Sequence, residues 1–148
     1  MGDGTRIYAK LEFLQHTGTF KARGALAVIN SLQPDQLGKG VTAVSAGNHA
    51  VATAFAARAV GTSAKIVMIS TANPARVEAC ERFGAELVMT DDIHQAFDLA
   101  EGIQRDEGRY LVHPFEGPDI ATGTGTVGLE ICEQCAQFDA VIVPIGGG

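Results

Sequence analysis

Three short stretches of this chain could do chemistry, and each is read as following an apolar run. The first is Thr17-Gly18-Thr19-Phe20-Lys21-Ala22-Arg23-Gly24-Ala25. A lysine amine forms an imine with an aldehyde, and desolvation or nearby positive charge lowers its pKa toward reactivity. Taken alone, a lysine at a helix start is ordinarily a solvated surface group. The second stretch is Ser45-Ala46-Gly47-Asn48-His49-Ala50, a turn that exposes backbone N–H groups at the start of a helix. Such a turn suits a carboxylate or phosphate, because a helix N-terminus carries partial positive charge. Plain N-capping by Ser45 or Asn48 accounts for the same residues without a ligand. The third is Pro144-Ile145-Gly146-Gly147-Gly148. Consecutive glycines let the backbone wrap a phosphate and aim several N–H groups at it, although a bare glycine run is also a common linker.

The elements that must position these stretches alternate. Short β-branched runs at Arg6–Leu11, Val41–Ser45, Ala64–Ile69, Glu86–Met89, Arg109–Val112 and Ala140–Ile145 read as strands. Between them, Lys21–Leu32, Asn48–Val60, Pro74–Phe83, Asp92–Glu107 and Ala121–Gln137 read as helices. Asn73-Pro74 marks an N-cap with proline at the first helical position. Gly61 and Gly84 stand just past helix ends, where a positive φ is wanted. This alternation implies βαβ units and an α/β fold, a mostly parallel sheet packed in three layers with helices. The seams are expected at Pro34–Gly40 and Pro114–Pro118. They divide the chain into residues 1–39, a small α/β domain at 40–117, and a returning piece at 118–148.

Two further patterns are set aside. Gly123-Thr124-Gly125-Thr126-Val127-Gly128 fits the dinucleotide fingerprint, but that fingerprint follows a strand. Here Pro114 and Pro118 make the preceding segment loop-like. Cys132 and Cys135 have the spacing of a redox or zinc pair, yet no second pair or histidine cluster accompanies them. Together with Cys80 they read as free thiols. His16 and His94 lie in polar contexts and read as solvated. His113 has no assigned role.

Of the 148 residues, 46% are apolar and 19% charged, the balance of an ordinary globular protein. A net charge of −6 argues against nucleic acid or an anionic membrane as a general partner. No apolar run approaches the roughly 20 residues of a membrane helix. A cytoplasmic location is the expectation.

In this order, the three stretches resemble the pyridoxal phosphate enzymes of the tryptophan-synthase-β type (fold-type II), and among these the threonine/serine dehydratases. Thr19-Phe20-Lys21-Ala22-Arg23-Gly24 is similar to that family's lysine block, and Glu12 and Gln15 fit its lead-in. The resemblance implies that Lys21 holds pyridoxal phosphate as an imine and later shuttles the substrate's α-proton. It implies that Ser45, Gly47, Asn48 and His49 grip the substrate carboxylate, and that Asn48 also bonds the cofactor's 3-hydroxyl. Gly146, Gly147 and Gly148 would hold the cofactor's phosphate.

The implied activity is a lyase converting a hydroxy amino acid, such as threonine or serine, to a 2-oxo acid and ammonia. The small amino acid is then the partner, no metal is required, and homo-oligomerisation is allowed. The family's chain continues beyond the glycine loop and begins earlier, so this sequence reads as a fragment with part of an active site. The rival is a non-catalytic α/β module that self-associates through uncovered apolar surface. A nucleotide-binding oxidoreductase rests on the glycine fingerprint alone.

Overall fold

The computed structural model describes residues 4–144. Two single 3-10 turns, Glu12–Leu14 and His16–Gly18, lead into α1 (Lys21–Ser31). There follow α2 (Pro34–Lys39), β1 (Val41–Val44), α3 (Asn48–Val60), β2 (Ala64–Ile69) and α4 (Pro74–Arg82). The remainder is β3 (Glu86–Thr90), α5 (Ile93–Glu107), β4 (Tyr110–Leu111) and α6 (Pro118–Gln134). The four strands form one parallel sheet in the order β3-β2-β1-β4. Val41 pairs with Ala64 on one side and Tyr110 on the other.

Side chains of a strand alternate between faces, and the burial follows that period. Val41, Ala43, Ala64, Ile66 and Met68 pack with α3 and α4 in the main core. Val44 and Val67 point the other way, onto Ala96 and Ala100 of α5. Helix α3 is buried nearly all round, from His49 to Ala54 and again at Ala56 and Ala57, because it has the sheet on one side and α1 on the other. Helix α6 then packs on the outside of α1.

That last contact explains the glycine fingerprint. A Cβ on Gly123 would stand 2.6 Å from both the Ala27 methyl and the Arg23 carbonyl oxygen, and 2.8 Å from Gly24 Cα. Gly123 is therefore where α6 and α1 cross at backbone distance. The segment is helix interior, consistent with setting dinucleotide binding aside.

Local signals behave as expected at several boundaries. Asn73 Oδ1 accepts from Ala75 N at 2.9 Å, and Gly61 and Gly84 adopt φ of 86° and 82°. Two expectations are corrected. Arg6–Leu11 pairs with no strand, and Ile7 and Tyr8 are exposed. The run at Ala140–Pro144 is likewise unpaired, with Ile142 96% exposed. A strand exists through its neighbour's hydrogen bonds, and neither run has one among the described residues. A helix not foreseen in the sequence, α2, lies within Pro34–Gly40, where Pro34 sits at the first position behind a capping box of Gln33 and Gln36. No helix among the described residues is long and apolar enough to cross a membrane.

Candidate active site

Lys21 is the first residue of α1. The chain reaches it through a tight reversal in which Thr17 and Gly18 take φ of 66° and 72°. A positive φ is unusual for threonine, so the lead-in is held by its surroundings. Arg23 does much of the holding. Its Nε and Nη2 donate to the two Glu12 oxygens at 2.9 Å each. Nη1 and Nη2 donate to the Glu130 carboxylate at 2.7 and 2.8 Å, and Nη1 also reaches Thr126 Oγ1 at 3.0 Å. All five guanidinium donors are thus engaged. Glu130 also takes Lys10, and its carboxyl is held down at about 2, by Arg23 first and Lys10 second. The network ties the lead-in, α1 and α6 together around the start of the lysine helix.

The Lys21 amine is half-buried. Nζ donates to the Pro114 carbonyl oxygen at 2.6 Å. It also lies 5.3 Å from the centroid of the Phe20 ring and 5.9 Å from that of Phe115. Desolvation lowers its pKa from the ordinary lysine value. Both rings remain partly open to solvent.

The second stretch sits beside it. Ser45 N continues the ladder to Val67 O at 3.1 Å, and Ser45 Oγ accepts from Gly47 N at 3.1 Å. The N-cap of α3 is Gly47, which supplies no side-chain cap. Neither Ser45 nor Asn48 therefore caps this helix in the ordinary way. Asn48 is exposed at its first position, and a Cβ at Gly47 would meet nothing within 4 Å. His49 is 4% exposed and its Nε2 donates to Val112 O at 2.8 Å. Its Nδ1 is buried without a partner. Burial first, with Lys21 and His113 nearby, pushes the imidazole down to about 4, so it is neutral at pH 7.

Val112 and Pro114 thus take one hydrogen bond each from His49 and Lys21. This short strap after β4 brings the starts of α1 and α3 to one place. Gly146, Gly147 and Gly148 lie outside the described residues. Cys132 is exposed near the end of α6 and Cys80 is buried in the core. Among the described residues no three His, Cys, Asp or Glu side chains could share a metal ion. A surface depression of about 550 Å3 runs along α5 past Gln95, Leu99 and Gly102, away from all of these groups.

Sequence reasoning missed two participants. Arg23 carries no local sign of its role, because Thr126 and Glu130 are over a hundred positions distant. The Pro114 carbonyl has no side-chain signature.

The chain is 54% identical to phenylserine dehydratase of Ralstonia pickettii over 145 residues, 98% of this chain and 44% of that protein. It is 42% identical to L-threonine ammonia-lyase of Thermotoga maritima, covering 98% of this chain and 36% of that one. The fold matches maize serine racemase with a TM-score of 0.91 at 38% identity, over 94% of this chain and 43% of that one. The chain therefore spans less than half the length of these relatives. Residues 2–148 match the family described as pyridoxal-phosphate dependent enzyme. With pyridoxal phosphate as its cofactor and a parallel α/β fold, the chain belongs to the pyridoxal-phosphate dependent enzyme family.

Proposed function

We propose that this chain supplies the lysine-bearing part of a lyase that eliminates water from a hydroxy amino acid such as threonine or serine. The products are a 2-oxo acid and ammonia. The observation that carries the reading is the setting of Lys21, a desolvated amine 2.6 Å from a backbone carbonyl and flanked by two aromatic rings.

These residues fit the cofactor. An amine with a lowered pKa is the nucleophile an aldehyde needs, and Phe20 and Phe115 offer apolar surface to a planar heterocycle. The start of α3 lacks a side-chain cap and so keeps N–H groups available to an anion. In this reading Ser45, Gly47, Asn48 and His49 receive the substrate carboxylate, and Asn48 also meets the cofactor's 3-hydroxyl. Gly146, Gly147 and Gly148 are assigned to its phosphate. Residues 40–117 act as a small domain, and 1–39 with 118–148 belong to a larger one.

When bound, pyridoxal phosphate supplies the electron sink that makes the α-proton removable. Lys21 Nζ takes that proton, and the Pro114 carbonyl is the acceptor that holds the resulting ammonium. Neutral His49 keeps a second cation away from this ammonium. The β-hydroxyl leaves as water with the proton Lys21 had taken, which completes the elimination, and hydrolysis by a second water then releases ammonia and the 2-oxo acid.

Relatives named for dehydratase and ammonia-lyase activities support elimination, while relatives named serine racemase share α-proton removal without it. The two outcomes separate by product. The gene product is incubated with pyridoxal phosphate and L-threonine, L-serine or phenylserine. Equal amounts of 2-oxo acid and ammonia, lost in Lys21→Ala, support the lyase. Formation of D-amino acid without 2-oxo acid contradicts it.

A further inference from the structure

The strap that receives Lys21 is itself held by a residue with no role so far. His113 Nδ1 accepts from Glu116 N at 2.8 Å and from Phe115 N at 3.4 Å, closing a turn over residues 113–116. Because Nδ1 is the acceptor, the proton of the neutral ring sits on Nε2, which faces the Glu116 carboxylate at 3.9 Å. The imidazole also meets the Phe115 ring edge-on, with centroids 4.8 Å apart. This one turn contains both the Pro114 carbonyl that accepts from the lysine amine and the Phe115 ring, whose centroid lies 5.9 Å from it.

We propose that His113 is a positioning residue for Lys21, acting through the backbone bonds at Nδ1 that fix the Pro114 carbonyl and the Phe115 ring against the amine. The proposal rests on the reading of Lys21 as the reactive lysine and extends it to a residue that does not touch the reacting atoms. Two alternatives inside the turn can be told apart. If the hydrogen bonds matter, an asparagine, whose Oδ1 reaches backbone N–H groups two and three residues on, replaces the histidine. If only the ring contact matters, a phenylalanine does. The imidazole is half-exposed, beside Glu116 with His49 and Lys21 nearby, so substitution there leaves the core intact.

The test is competitive acetylation of the chain with acetic anhydride across a pH series, read lysine by lysine by mass spectrometry. Exposed Lys39 is the internal reference. In the wild type, Lys21 titrates below the ordinary lysine value, because its amine is desolvated. In His113→Ala and His113→Phe the turn opens and the Lys21 midpoint rises toward the ordinary lysine value. In His113→Asn it stays at the wild-type value. The proposal is overturned if Ala and Phe leave Lys21 at the wild-type midpoint, or if Asn shifts it as far as Ala does. Should His113→Ala fail to fold, the Phe and Asn variants decide between the same outcomes. A parallel incubation with pyridoxal phosphate and borohydride separates the two layers. Acetylation shifts as expected without cofactor capture at Lys21 leave the positioning intact and remove the cofactor reading. Capture at Lys21 with no effect of His113 on acetylation does the reverse.

Discussion

The Nζ of Lys21 rests 2.6 Å from the carbonyl oxygen of Pro114, a residue 93 positions further along the chain. The start of α1 and the strap after β4 are thereby joined at one hydrogen bond. His49, from the start of α3, is joined to the same strap at Val112. Three parts of the chain remote in sequence meet around one amine, and the stability of that meeting can be tested piece by piece.

His49 makes folding pH-dependent. Its pKa falls to about 4 in the fold, below the roughly 6.5 of an unfolded chain. The unfolded state therefore binds the extra proton first as pH drops. The contribution is fully present above about pH 6.5 and is lost as pH falls toward 4. The shift corresponds to on the order of 3 kcal/mol. Urea unfolding at pH 7 and pH 4 should show wild type losing more stability than His49→Gln by about that amount, since glutamine keeps a donor for Val112 and does not titrate. Equal losses in both proteins would remove His49 from the account.

Arg23 should prove structural before it is anything else. Its guanidinium raises no charge problem while it holds Glu12 and Glu130, and those partners in turn raise its own pKa. Arg23→Ala takes the shared partner from the Glu12 and Glu130 carboxylates, leaving Glu130 with Lys10 alone, and should lower stability. Arg23→Lys keeps the charge but cannot form two forks, and should recover only part of that loss. Urea midpoints with an unchanged slope would measure both. A lysine variant as stable as wild type would mean the charge alone suffices.

Two glycines of α6 should respond oppositely to alanine. Gly123→Ala forces a methyl into the Arg23 carbonyl and Ala27 at 2.6 Å, so α6 and α1 must part, at about 1–3 kcal/mol. At Gly128 a Cβ meets nothing within 4 Å, and alanine there stabilises the helix by up to about 1 kcal/mol. Thermal midpoints that move in the same direction for both would contradict the crossing described for Gly123.

The sheet was legible because its strands are apolar β-branched runs with helices between them, and Val41–Val44 is buried throughout. The same signal misled at Arg6–Leu11 and Ala140–Pro144, since composition reports suitability for a strand and not the presence of a neighbour. Helix α2 was not legible, because Pro34 and the glycines around it mask the capping box that Gln33 and Gln36 supply. At the site, Lys21 and the Ser45–His49 turn were visible as local patterns. Their meeting was not, because a backbone carbonyl at Pro114 and a salt-bridge partner at Glu130 leave no mark near Lys21 in the sequence.

The central claim is that Lys21 is the reactive amine. It is tested by incubating the purified chain with pyridoxal phosphate, reducing with borohydride, and mapping the modified residue by mass spectrometry beside Lys21→Ala. The account predicts one modified lysine per chain, at Lys21, and none in the variant. Labelling spread over Lys10, Lys39 and Lys65, or equal labelling in Lys21→Ala, would contradict it.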